Sequence, residues 1–192
     1  MDGARNAIPG AGVRCKGGKI MSLKNAFWIL ASCALLTACG DTPLPGTVGA
    51  TAPEYAARTL DGDTVSLAEL RGQAVLLNVW ATWCPPCRKE MPDLQALHEE
   101  LGPRGLNVVG VSIDAAGADE IVREFLDEYG ITYTILRDSD ERVSSAFPAQ
   151  GVPITVLIDP KGTIVWRHLG PLTADQPDLR EALERALPPT NA

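Results

Sequence analysis

The sequence has only two histidines, which argues against a metal site. It also has no excess of basic residues, which argues against binding to nucleic acids or anionic membranes. Its 17 lysines and arginines are outnumbered by 24 aspartates and glutamates, which gives a formal net charge of −7. Proteins that bind nucleic acids or anionic membrane surfaces carry the opposite charge, so we expect no nucleic-acid partner. With 192 residues, 45% of them hydrophobic and 21% charged, the chain has the composition of an ordinary globular protein with one well-packed domain.

The apolar run near the N-terminus is short. It covers residues 26–36 and follows Met21 and Lys24, whereas about 20 apolar residues are expected to span a bilayer. A short positive region before such a run has the proportions of a secretory signal, which we assign to residues 21–38. Residues 1–20 show no hydrophobic periodicity and precede this second plausible start, so we treat them as a non-mature extension.

The run ends in Leu-Thr-Ala-Cys, which resembles the bacterial lipobox. The resemblance implies that Cys39 is lipidated and becomes the first mature residue; an ordinary cleaved signal and an uncleaved anchor are the alternatives. Five of the 17 basic residues but one of the 24 acidic residues precede Cys39, so the mature part carries 12 basic and 23 acidic residues, a net charge of −11. Residues 39–53, rich in Pro, Gly and Thr, are typical of a flexible tether, which leaves one domain over residues 54–188.

The rest of the chain alternates strand and helix patterns. A two-residue Asp61-Gly62 turn predicts an N-terminal β-hairpin, and nearly continuous apolar runs predict strands buried on both faces at 74–81 and 106–114. Other predicted elements are helices at 85–101, 118–129 and about 175–187, a helical patch near 141–147, a short strand at 132–138 and a hairpin over 154–169. This order predicts an α/β domain with a mixed sheet flanked by helices on both faces.

Two cysteines, Cys84 and Cys87, lie between the first buried strand and the helix that follows it. Such a pair can bind a metal, hold haem, staple a loop or exchange electrons. Structural zinc takes four nitrogen or sulfur ligands, and only His98 and His168 remain, without ligand spacing, so we predict no metal site. Haem attachment requires histidine directly after the second cysteine, where this chain has Arg88. A disulfide that closes so small a loop removes little chain entropy and is a poor staple.

The position of the pair at the start of a helix favours redox chemistry. Unpaired backbone N–H groups and the helix dipole at such a place lower the pKa of a thiol. We therefore predict Cys84, near the N-cap and at the exposed end, as the attacking thiol and Cys87 as the resolving thiol. Pro85 and Pro86 are tolerated in a first helical turn but have no N–H to donate. The amide of Cys87 is the donor left for Cys84, and we expect a pair that is not an extreme oxidant.

The segment Val-Trp-Ala-Thr-Trp-Cys-Pro-Pro-Cys, residues 79–87, resembles the thioredoxin superfamily. Cys-Pro-Pro-Cys-Arg-Lys-Glu-Met-Pro is similar to its TlpA/ResA-like branch of membrane-tethered thiol-disulfide oxidoreductases. Residues 110–140 match the extra central β-α segment of that branch. The resemblance implies a thioredoxin-like fold and a docking surface shaped by Trp83, and we include Pro85 and Pro86 among the substrate-contacting residues.

Residues 151–159, Gly-Val-Pro-Ile-Thr-Val-Leu-Ile-Asp, resemble the cis-proline segment of thioredoxins. The resemblance places Pro153 opposite the cysteines and Val152 where its backbone can pair with a substrate strand. Many relatives carry threonine after this proline, whereas this chain has Ile154. We expect this isoleucine to make the substrate-facing groove more apolar.

Glu90 matches the glutamate of the same branch, three residues after Cys87. From spacing alone it is equally a base for Cys87 or a surface residue paired with Arg88. The resemblance favours a partly buried base with a raised pKa that accepts the proton of Cys87. The buried acid of thioredoxins, six residues before the first cysteine, is replaced by Asn78, which cannot accept a proton.

Together these resemblances imply an extracytoplasmic, membrane-anchored oxidoreductase that forms a mixed disulfide between Cys84 and a partner protein's cysteine. Relatives usually reduce their partners, often apocytochrome c or copper-site cysteines, with electrons from a membrane thiol carrier. The redox-active Cys84–Cys87 disulfide requires no further cofactor. The alternatives are a disulfide oxidase or isomerase, a thiol peroxidase, and a non-enzymatic metallochaperone.

Overall fold

Seven strands form one mixed sheet in the computed structural model, which describes residues 43–188. The predicted extension, the predicted signal and Cys39 lie outside the described residues. The strands are β1 (Ala56–Thr59), β2 (Thr64–Ser66), β3 (Ala74–Trp80), β4 (Leu106–Ser112), β5 (Thr134–Arg137), β6 (Ile154–Ile158) and β7 (Ile164–Leu169). The helices are α1 (Pro85–Leu101), α2 (Asp119–Tyr129), α3 (Arg142–Ala146) and α4 (Pro177–Ala186), with a 3₁₀ turn at Gly102–Arg104.

The strand order is β2-β1-β5-β4-β3-β6-β7. Strand β4 runs parallel to β3 and β5, whereas β6 is antiparallel to β3 and β7. Every residue of β3 and β6 is buried. Because successive side chains of a strand point to opposite faces, both faces of the sheet are covered there, and the predicted mixed α/β architecture is confirmed.

The carboxyl end of β3 leads directly into the loop that holds the cysteines. Trp80, the last residue of β3, is fully buried, and its ring lies 5.1 Å from that of Phe125. Gly110 makes room for it, since a Cβ there would lie 3.0 Å from the indole Nε1 and 2.7 Å from Ile135. The indole thus anchors the end of β3 immediately before the Cys84 loop.

The start of the domain differs from the prediction. Backbone N–H groups of Gly49 and Ala52 donate to the carbonyl oxygens of Ile164 and Gly162, both at 2.8 Å, and Thr51 forms an isolated bridge with Thr163. The packed domain therefore extends before residue 54 and includes the last residues of the segment read as a tether. A single bridge leaves no periodic pattern of side chains, so the Pro-, Gly- and Thr-rich composition alone predicts a tether there.

The N-terminal hairpin has a longer connection than predicted. Strand β1 ends at Thr59 and β2 begins at Thr64, so four residues rather than two connect them. The Thr59 amide donates to the carbonyl of Asp63 at 2.8 Å, and Gly62 adopts φ +95°. Glycine takes this left-handed conformation without steric cost. Helix α1, in contrast, has the predicted bounds.

Candidate active site

The two cysteines form a disulfide at the start of α1. Cys84 is the N-cap residue, and its Sγ accepts a hydrogen bond from the amide of Cys87 at 3.2 Å, the donor that the prolines leave. Cys84 is only 3% exposed and Cys87 is fully buried. The expectation that Cys84 lies at an exposed end is therefore wrong for the disulfide form. The exposed surface beside the sulfur belongs to Trp83, 63% exposed, and to Pro85, while Pro86 is half-buried.

The segment before β6 lies at the same end of the sheet as the two cysteines. The Val152–Pro153 peptide bond is cis, Pro153 is buried and Val152 is half-buried. The carbonyl of Pro153 accepts from the Gly170 amide at 2.9 Å. Ile154 pairs with Val79, near the end of β3. The strand register thus brings the segment to the end of the sheet where Cys84 begins α1.

Ile154 does not line a groove. It is 1% exposed and belongs to the core, so its predicted contact with substrate is wrong. Its register partner on β7 is Leu169, which is 58% exposed. A residue's place beside a proline does not specify which face of the sheet its side chain takes, and the sheet here directs the isoleucine inward.

Glu90 is buried and hydrogen-bonded on both oxygens. Asn78 Nδ2 donates to Oε1 at 2.7 Å, and the backbone amide of Leu172 donates to Oε2 at 3.0 Å. Arg88 instead places its guanidinium 5.2 Å from the centre of the Phe125 ring. The alternative of a surface glutamate paired with Arg88 is therefore wrong. Neither carboxylate oxygen is hydrogen-bonded to the Cys87 sulfur.

Burial raises the pKa of the Glu90 carboxyl to about 7, although the hydrogen bonds from Leu172 and Asn78 lower it. The charge of Asp93 adds to the increase. Burial and the nearby Glu90 also raise the pKa of Tyr133. A carboxyl that is half-ionised near neutral pH can both accept and release a proton, which is the property required of a general base.

Asn78 connects this carboxyl to the sheet. Its Nδ2 also donates to Thr155 Oγ1 at 2.9 Å, and all three side chains are buried. Its Oδ1 has no hydrogen-bond partner among the described residues. The residue that replaces the acid of thioredoxins therefore holds Glu90 by a hydrogen bond and does not itself titrate.

Asp114 is a site residue that the sequence analysis missed. This buried carboxylate accepts from the backbone amide of Thr82 at 3.1 Å, from the Thr82 hydroxyl at 2.6 Å and from the Ser112 hydroxyl at 2.8 Å. It ties the loop that precedes Trp83 and Cys84 to the end of β4. An acid just after an apolar strand, at the edge where the cysteines lie, was the signal available in the sequence.

Glu90 should make the stability of the oxidised protein depend on pH. Its pKa in the folded state, about 7, exceeds the ordinary value of 4.5, so the folded state binds more protons between these values. The free energy of unfolding should fall as pH rises from about 4.5 to 7, by up to about 3 kcal/mol. Glu90→Gln should remove this part of the slope, as measured by urea unfolding at pH 5 and pH 8.

The matched control for this prediction is Glu99→Gln, on the exposed side of the same helix. Carboxylates with lowered pKa, such as Glu100 and Glu184, produce the opposite slope at more acid pH. The comparison therefore uses the difference between each variant and the unchanged protein. Equal slopes for the Glu90→Gln and unchanged proteins would contradict the raised pKa.

No metal centre or membrane span accompanies this site in the described residues. Within 43–188, no group of three or more His, Cys, Asp or Glu side chains is placed to hold a metal ion. No helix in that range is long and apolar enough to cross a membrane. The chemistry visible at the site is that of the two sulfurs and the buried carboxyl.

Comparison with known proteins agrees with this geometry. Residues 48–167 match the AhpC/TSA family. The chain belongs to the AhpC/TSA family. It is 38% identical over 133 residues to the thiol-disulfide oxidoreductase ResA of Oceanobacillus iheyensis, covering 67% of this chain and 68% of that protein. It is also 40% identical over 126 residues to the thioredoxin-like protein YneN of Bacillus subtilis, covering 65% and 73%.

Solved structures show the same fold. A thiol:disulfide interchange protein DsbE from Chlorobium tepidum is 29% identical with a TM-score of 0.66, covering 73% of this chain and 97% of that one. StoA from Bacillus subtilis is 26% identical with a TM-score of 0.58, covering 72% and 98%. The predicted thioredoxin-like fold and ResA-like family are confirmed, and this AhpC/TSA protein is a thiol-disulfide oxidoreductase.

Proposed function

We propose that this oxidoreductase reduces disulfides of extracytoplasmic partner proteins through a mixed disulfide on Cys84. The observation that carries the direction is the hydrogen bond from the Cys87 amide to the Cys84 sulfur, which has no other donor among residues 43–188. Because Pro85 and Pro86 offer no N–H, the first turn stabilises a Cys84 thiolate less than an open helix terminus would. A less stabilised thiolate makes the dithiol form easier to oxidise, and so a better reductant.

The reaction proceeds in two exchange steps. The Cys84 thiolate attacks one sulfur of the partner's disulfide, which breaks that bond and releases the other partner sulfur as a thiol. The Cys87 thiolate then attacks Cys84 Sγ, which forms the intramolecular disulfide and releases the second partner thiol. Two electrons pass to the partner, and a thiol carrier must return two electrons to the protein.

Glu90 supports the second step as the base that accepts the Cys87 proton. Residues three positions apart in a helix are neighbours. Glu90 therefore lies next to Cys87, and both residues are buried. The carboxyl is poised near neutral pH by its burial. Trp83, Pro85, Pro86, Val152 and Pro153 frame the surface on which the partner's cysteine approaches.

We propose that the domain lies outside the cytoplasm on a lipid anchor at Cys39. Several acyl chains are needed for stable anchoring, as one chain alone binds a membrane weakly. The mature charge of −11 keeps the domain away from an anionic membrane surface. The substrates we propose are cysteine-containing proteins such as apocytochrome c or copper-site proteins, and the electron donor is a membrane thiol-disulfide carrier.

The reduction potential of the Cys84–Cys87 pair tests the direction. We expect a value near or below about −230 mV, measured by equilibration of the chain beginning at Gly40 with glutathione or dithiothreitol buffers. A value near −120 mV would instead indicate an oxidase. Rapid consumption of hydrogen peroxide would indicate a peroxidase, and stoichiometric copper binding without disulfide exchange would indicate a metallochaperone.

A further inference from the structure

Helix α2 carries a strong and largely unpaired negative charge. It contains five acidic residues and one basic residue. Asp119 pairs with Arg137 at 2.8 Å, and Glu120 lies 4.0 Å from Arg123. The other three acidic side chains of the helix are exposed and have no ion pair among the described residues; they are Glu124, Asp127 and Glu128.

A shallow depression of about 230 Å³ separates this helix from the loop that holds the cysteines. Its exposed apolar lining residues are Trp83 and Ile121, which are 63% and 58% exposed. Glu124 and Glu128 lie along its helix side. Trp83 lines the groove and directly precedes Cys84, so the groove lies next to the loop at which a partner's disulfide must arrive.

Arg88, the basic residue that lines the groove, already packs against two aromatic rings. Arg88 lies over the rings of Phe125 and Tyr129, at 5.2 and 5.7 Å, and its Nε donates to the Tyr129 hydroxyl at 3.4 Å. It partly offsets Glu124 and Glu128, but the groove and the helix both remain net negative. The charge of −11 on residues 39–192 extends the same field over the protein.

We propose that this groove docks the cysteine-bearing segment of a basic partner polypeptide. An apolar side chain next to the partner's cysteine packs between Trp83 and Ile121, and a lysine or arginine beside it faces Glu124 and Glu128. The inference rests on the proposed function and specifies the chemistry of its substrate. Complementary charge of this kind acts mainly on the rate of encounter and on the choice of partner.

The test uses two synthetic peptides of equal length, each closed by one intramolecular disulfide with a leucine beside one cysteine. One peptide carries two lysines next to the leucine, and the other carries two glutamates at the same positions. We expect the reduced protein to reduce the lysine peptide at least about ten times faster at low ionic strength, with the difference shrinking in 0.5 M salt.

Variants then assign the preference to the groove. The double variant Glu124→Gln/Glu128→Gln should lower the rate with the lysine peptide about three- to ten-fold and leave the glutamate peptide equal or faster. The control Glu54→Gln/Glu181→Gln removes the same charge from exposed positions outside the groove and should change neither rate. Ile121→Ser should slow the leucine peptide relative to an otherwise identical alanine peptide.

The outcomes separate the two proposals. Equal rates for the lysine and glutamate peptides, or a preference that survives Glu124→Gln/Glu128→Gln, would overturn the docking proposal alone. Failure of the reduced protein to reduce either peptide, while its thiols still titrate, would overturn the proposed function. A preference lost in the groove variant and kept in the control supports both.

Discussion

A Cys87→Ser variant is expected to stop the exchange after its first step and to accumulate a mixed disulfide on Cys84. The serine hydroxyl cannot attack the Cys84 sulfur, so the partner stays bound. Cys84→Ser should form no adduct, because it removes the thiolate that opens the partner's disulfide. Both variants should lose multiple-turnover reduction by at least about 10³-fold, the largest effect expected for this protein.

The chain beginning at Gly40 suits this experiment because Cys84 and Cys87 are its only cysteines. The adduct is measured by non-reducing electrophoresis and mass spectrometry after mixing the reduced variant with a disulfide-bonded protein substrate. The double Cys84→Ser/Cys87→Ser variant controls for non-covalent association. Adducts formed by Cys84→Ser but not by Cys87→Ser would reverse the proposed roles of the two cysteines.

The assignment of roles depends on the helix terminus more than on exposure. Both sulfurs are buried in the disulfide, so accessibility alone does not distinguish them. Cys84 is at the N-cap and accepts the Cys87 amide hydrogen bond, whereas Cys87 is inside the first turn. Exposed Trp83 and Pro85 flank only Cys84. A partner sulfur can therefore approach Cys84 from the surface that these two residues form.

Much of the fold followed from local patterns. The runs at β3 and β4 are apolar on both faces, and helix α1 has its capping and periodic residues within one segment, so its bounds were predicted correctly. The environment of Glu90 was not predictable, because its partners Asn78 and Leu172 lie 12 and 82 positions away. The link from Asp114 to Thr82, across 32 positions, was missed for the same reason.

Two of the incorrect predictions share a physical cause. The place of Ile154 beside Pro153 predicts a position in the substrate groove, but pairing with Val79 and Leu169 sets which way its side chain points. The composition of residues 49–52 predicts a tether, yet backbone hydrogen bonds to 162–164 hold them against the sheet. Backbone pairing with distant strands leaves little trace in the sequence of a short segment.

The second large effect is expected at Glu90, in the step where Cys87 attacks Cys84. A base must be ionised to accept a proton, and burial raises the pKa of this carboxyl to about 7. The rate of the step should therefore increase with pH through about 7. Glu90→Gln should remove that increase and slow the step by about 10²-fold or more above pH 7, the contribution typical of a general base.

The step can be observed alone in a protein whose Cys84 carries a nitrothiobenzoate group. Attack by Cys87 releases the coloured thiol, and stopped-flow absorbance between pH 5 and 9 gives the rate. Glu99→Gln, on the exposed side of the same helix, is the matched control. Superimposable profiles for the variant and the unchanged protein would exclude Glu90 as the base.

Asn78→Asp provides the sharper form of this test because it keeps the size of the side chain. It replaces the amide that donates to Glu90 Oε1 at 2.7 Å with a second carboxyl. Two acids so close cannot both ionise easily, so one pKa of the pair should rise and the increase in rate should move to higher pH. A purely structural role for Asn78 would lower stability without moving this inflection. A shifted inflection would show that this chain uses an amide where thioredoxins use an acid so that Glu90 can ionise near neutral pH.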